Sequence, residues 1–139
     1  MEAYQSLQGF QNKKLIMTIE KYKYGKSPFN PIKIKGIKSS IAFLNLLITE
    51  YDLPFLFHRL RSTSVNNSKP IDWYEIMNPN GEKDELFIDT YSTRKKSLPP
   101  AGYKFKTKKI MPAIINGFVV IETTGVNYKL KQFPDELFK

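Results

Sequence analysis

The sequence has no cysteine and a single histidine, His58. Disulfides, thiolate metal sites and a cysteine nucleophile are excluded on that ground. A histidine-built zinc site needs more imidazoles than the chain owns. No stretch approaches the roughly 20 apolar residues of a membrane-spanning helix. The richest region, Ile41 to Leu60, is broken by Asn45, Glu50, Asp52, Pro54 and Arg59. The opening MEAYQSLQGF carries an acid and no apolar core. It does not read as a signal peptide, and a cytoplasmic location is expected. Also missing are the nucleophile elbow, the phosphate-binding glycine loop, the dinucleotide fingerprint and the HExxH zinc pattern. No cofactor or resident metal is expected.

What remains is a chain of 139 residues with 22 Lys and Arg against 13 Asp and Glu, a net charge of +9. That length suits one domain, residues 1–139, with residues 1–13 as a flexible polar arm. The 10 Phe, 8 Tyr and 1 Trp favour a strand-rich fold, because aromatic side chains fit pleated, half-buried surfaces. The heavy use of Lys, Ile, Asn, Tyr and Phe is the residue choice of an A+T-rich coding sequence, such as bacterial, viral and mobile-element genomes carry.

The periodicity predicts strands over Leu15–Tyr24 and Pro31–Ile37, joined as a hairpin. Ser39 or Ser40 caps a helix whose apolar stripe is Ile41, Leu44, Ile48 and Tyr51. Pro54 breaks it, and a second short helix runs through Phe55 to Arg61. Strands come next over Trp73–Met77 and Leu86–Tyr91, separated by the turn Asn78–Lys83 with its Asn80–Gly81 pair. Further strands are read over Tyr103–Ile110 and Ile114–Thr123. Gly125 turns the chain into Val126–Lys131, and residues 134–138 make a terminal helical turn. The expected class is therefore α+β. It has a mostly antiparallel sheet, open, curled or barrel-like, packed against a central helix pair around residues 40–61.

Charge is unevenly placed. Residues 1–40 sum to +6, residues 71–90 to −5 and residues 91–110 to +7. Two segments interleave lysine with aromatics: Lys21-Tyr22-Lys23-Tyr24 and Tyr103-Lys104-Phe105-Lys106-Thr107-Lys108. Rings stack on unpaired bases while lysines neutralise phosphates, so this composition points to nucleic acid, single strands included. The expected contact surface is Lys21, Tyr22, Lys23, Tyr24, Lys33, Lys35, Arg94, Lys95, Lys96, Tyr103, Lys104, Lys106 and Lys108, bound mainly to the phosphate backbone. Strict alternation works against it, since a strand sends its aromatics and its lysines to opposite faces.

The alternative is a non-enzymatic interaction or assembly component, as in a virion, accessory or inhibitor protein, whose positive surface meets an acidic protein. A third reading, a metal-dependent nuclease using Asp72, Glu75, Glu82, Asp84, Glu85 and Asp89, is the weakest. Their spacing matches no ligand pattern, and solvated turn acids are the plainer account. His58, beside Arg59 and Arg61, is expected at a helix C-terminus, where a cation is favoured.

Overall fold

The computed structural model describes residues 23–34, 39–65, 69–91 and 97–139. The chain is mostly β. Its elements are β1 (Ile32–Lys33), α1 (Ser40–Leu44), β2 (Leu47–Thr49), β3 (Leu56–Thr63), β4 (Ile71–Met77), β5 (Lys83–Asp89), β6 (Tyr103–Phe105), β7 (Ala113–Ile115), β8 (Phe118–Val120) and β9 (Thr124–Val126). A 3-10 turn, Asp135–Phe138, ends the chain, as the sequence predicts. Among the described residues no helix is long and apolar enough to cross a membrane.

The expected helix pair, and with it the α+β class, is overturned. Ser39 does cap a helix, its hydroxyl accepting from the Ala42 N–H at 3.2 Å, but that helix stops after five residues. The chain at Leu47–Thr49 is extended and pairs antiparallel with Tyr103–Phe105. The second predicted helix is the start of β3. Both errors have one physical source. Short apolar runs such as Phe43–Ile48 and Phe55–Phe57 satisfy helical and extended spacing alike, and tertiary pairing decides between them.

Five strands form the main sheet in the order β1-β5-β4-β3-β9. The middle three are an antiparallel meander, with β4 and β5 joined by the predicted Asn78–Lys83 turn. There the Asn78 N–H donates to the Glu82 carbonyl at 3.0 Å. Both edges are parallel: Ile32 pairs with Ile88, and Leu56 with Thr124. The predicted Leu15–Tyr24 strand lies outside the described residues except for its last two, and Ile32–Lys33, within the predicted Pro31–Ile37 strand, pairs parallel with β5.

Register sorts the meander into two faces. Phe57 opposite Ile76, and Tyr74 opposite Leu86, point one way and meet Phe43, Leu44, Leu47, Phe55 and Tyr103. Leu56 opposite Met77 points the other way and meets Ala113, Ile115 and Val120. The sheet is thus covered on one face by α1 and the β2–β6 ribbon, and on the other by the C-terminal segment.

That C-terminal segment holds two local corrections. The single strand predicted over Ile114–Thr123 is a hairpin, β7 and β8, turned by Asn116 and Gly117 with φ of 52° and 85°. Two consecutive residues in the left-handed region are what a tight two-residue hairpin requires, and Asn-Gly is the pair that tolerates it best. Gly125 is no turn but the centre of β9, lying against Phe57. A Cβ there would overlap both the Phe57 ring and its carbonyl oxygen.

Candidate functional site

Two features stand out on the surface: a polar cleft at Tyr103, and the outer face of the β7–β8 hairpin. The cleft forms where three turns meet. Residues 49–53 lead out of β2, residues 78–84 join β4 to β5, and residues 101–103 enter β6, while Lys23 and Lys26 close the remaining side. Its volume is about 490 Å³.

The floor is a hydrogen-bonded network. Tyr103 is buried, and its hydroxyl donates to Asp84 Oδ2 at 2.8 Å and accepts from Asn78 Nδ2 at 3.2 Å. The Lys26 ammonium donates to the same Asp84 oxygen and lies 4.8 Å from the Tyr103 ring centroid. Burial first, then the negative charge of Asp84, pushes the Tyr103 phenol far above the ordinary tyrosine range. On the sheet face below, burial followed by the nearby Asp72 charge raises Tyr74 to about 12.

Both phenols hold their protons more tightly folded than unfolded, and this sets a pH dependence. Below about pH 10 their contribution to stability is complete. Above it the unfolded chain ionises while the native state does not, so stability falls as pH rises through about 12. Alkaline titration followed by circular dichroism, with tyrosinate absorbance read in parallel, should show unfolding and ionisation of these two phenols together. Tyr74→Phe should remove roughly 2–3 kcal/mol of that pH-dependent loss. Phenol ionisation without unfolding would contradict it.

Seven of the thirteen residues of the expected polyanion surface fall among the described residues. Lys21, Tyr22, Lys35, Arg94, Lys95 and Lys96 lie outside the described residues. Lys23 is exposed on the cleft rim. Tyr24 donates its hydroxyl to the Leu98 carbonyl at 3.0 Å. Lys33 is exposed on the edge strand β1, in register with Asp89. Tyr103 points into the core while Lys104 turns away to Asp52 at 2.6 Å, the opposition that strand alternation demands. Lys106 and Lys108 are exposed beyond β6. The described members are thus spread over the cleft rim, a sheet edge and a loop, with carboxylates at the first two.

The acids have separate partners. Asp72 takes Ser40 at 2.5 Å and Arg59 at 3.2 Å, Glu75 takes His58, and Asp84 takes Lys26 and Tyr103. Glu75 faces Glu85 across β4–β5, and Asp89 lies four residues further along, roughly 13 Å away. Among the described residues no three His, Asp or Glu side chains gather as a metal site.

His58 is not at a helix end. It sits buried in β3, opposite Glu75 and stacked on Phe133 with centroids 4.0 Å apart.

Sequence reading missed the hairpin face altogether. Ala113, Ile115 and Val120 point into the core. Ile114 and Val119 face each other on the outside, 69% and 68% exposed, and Ile121 just beyond is 68% exposed. The signal for it was the Asn116–Gly117 turn, which splits one apolar run into two strands with an inner and an outer set. No protein-family model, curated protein or solved structure matches the chain.

Proposed function

We propose that this chain is a small, non-enzymatic binding protein whose partner is an acidic protein, seated on the outer face of the β7–β8 hairpin. The observation that carries the reading is the apolar trio Ile114, Val119 and Ile121 on a face that water should claim. A half-buried antiparallel ribbon normally alternates apolar inside and polar outside. Apolar groups gathered on the outside mark interaction surfaces. The partner's charge is argued from the neighbourhood. Exposed Lys106, Lys108 and Lys109 precede β7 in the chain, separated from it by Ile110, Met111 and Pro112, and the whole chain carries a net charge of +9. An apolar face that follows a run of lysines in the chain complements an apolar patch flanked by carboxylates.

The competing reading, contact with a nucleic-acid backbone, uses the same lysines but leaves the apolar trio without a role. Fluorescence anisotropy separates the two. Probes are an acidic amphipathic peptide of alternating leucine and glutamate, and a labelled oligonucleotide, single-stranded or duplex, at about 50 mM salt. The peptide is expected to bind, and Val119→Asp to weaken it by about tenfold or more. Oligonucleotide binding that ignores Val119→Asp but falls steeply with salt, with no peptide binding, would overturn the proposal in favour of the phosphate-backbone reading.

A further inference from the structure

The cleft at Tyr103 holds charges of both signs, and most of its polar atoms already have work. Asn78 is committed to the Tyr103 hydroxyl. The Asn80 side-chain oxygen accepts from the Glu82 N–H at 3.0 Å. Thr49 Oγ1 accepts from the Tyr51 and Leu53 N–H groups at 3.3 and 3.2 Å. Four lining groups keep capacity. An ammonium has three donors, and Asp84 is the one side-chain oxygen bonded to Lys26 among the described residues. Lys23, Glu50 and Glu82 stand exposed on the rim. Glu50 takes a hydrogen bond from the Tyr51 hydroxyl, which raises that phenol, and a carboxylate has lone pairs to spare.

This mixture selects against singly charged ligands. A plain anion drawn to Lys23 and Lys26 would lie among Glu50, Glu82 and Asp84. A plain cation drawn to the carboxylates would lie against two ammonium groups. Like charges brought together in a partly desolvated cleft cost more than either attraction returns. Only a ligand that carries both signs satisfies both sets. Leu53, Pro79 and Ala101 in the same wall add an apolar surface. The volume, about 490 Å³, falls within the range of small-molecule sites.

We propose that the cleft binds a free α-amino acid with an apolar side chain. Its carboxylate meets Lys23 and Lys26, its ammonium meets Glu50 and Glu82, and its side chain lies on Leu53, Pro79 and Ala101. The inference is independent of the hairpin face, so Val119→Asp leaves this binding intact.

The test is calorimetric titration with free leucine. Its two single-charge relatives, leucinamide (cation only) and N-acetyl-leucine (anion only), serve as comparisons. Leucine is expected to bind with a Kd of about 1 mM or tighter, and each relative about tenfold more weakly. Lys23→Gln and Glu82→Gln, both at exposed positions, should each weaken leucine binding by about tenfold while melting temperature and circular dichroism stay unchanged. The proposal fails if leucine gives no heat and shifts no Gly102 or Tyr103 amide resonance at about 10 mM. It also fails if either single-charge relative binds as well as leucine.

Discussion

Gly125→Ala is expected to destabilise the protein by about 3 kcal/mol, at the upper end of overpacking costs. The reason is backbone proximity. Gly125 lies opposite Phe57 in the parallel β3–β9 pair. An added methyl group would occupy space held by the Phe57 ring and, more seriously, by the Phe57 carbonyl. The ring can rotate away, but the carbonyl belongs to the ladder. β9 must therefore separate from β3, which loosens the Thr124 N–H bond to the Phe55 carbonyl, 3.1 Å in the native chain. A thermal melt should show the midpoint lowered by roughly 10 °C. Phe57→Ala alone opens a cavity and costs about 3–5 kcal/mol. In the double variant the two costs should sum to more than is observed, because the emptied ring space partly accommodates the new methyl group. A melt unchanged by Gly125→Ala would show that β9 is not held against β3 at this distance.

His58→Ala is expected to cost about 3 kcal/mol and to loosen the last dozen residues before the rest of the chain melts. The imidazole is 2% exposed and holds three groups at once. Its Nδ1 accepts from the Leu130 N–H at 2.9 Å, so the ring proton sits on Nε2 and is donated to Glu75 Oε1 at 3.0 Å. Its face packs on Phe133, nearly parallel at 12°. Truncation orphans a buried N–H, releases a carboxylate and opens a void beneath Phe133. His58→Phe separates these effects, since it keeps the ring contact and loses both hydrogen bonds. Hydrogen exchange at the Leu130 amide and proteolysis between residues 127 and 139 are the readouts. Both should accelerate in the alanine variant, with the phenylalanine variant between it and the native chain. Unchanged protection at Leu130 would remove His58 as the anchor of this segment.

The parts legible in the sequence were those specified by neighbouring residues. The Asn80–Gly81 turn fixes β4 against β5, and Ser39 caps its helix, because both signals act within a few positions. The lost parts were settled by distant partners. Leu47–Thr49 is extended because Tyr103–Phe105 lies beside it. Leu56–Thr63 is extended because it has Ile71–Met77 on one side and Thr124–Val126 on the other. Pro54 forbids a continuous helix, yet it leaves the conformation of Phe55 and its successors open. The cleft was half visible. Lys23 and Tyr103 belonged to the expected surface, but Lys26, Asn78 and Asp84 join them only through three turns far apart in the chain. Regional charge sums could not show that Asp84, in the acidic stretch of residues 71–90, pairs with Lys26.

The two parallel edge pairings carry a consequence for how the chain assembles. The β3–β4–β5 meander needs only short loops to close, so its contacts form at small entropic expense. Ile32 beside Ile88 and Leu56 beside Thr124 are contacts between remote parts of the chain. Neither edge has a surface to dock on until the strand it flanks exists. The topology therefore ranks the sheet in time as well as in space: the interior strands are the template, and the rims are recruited to it last.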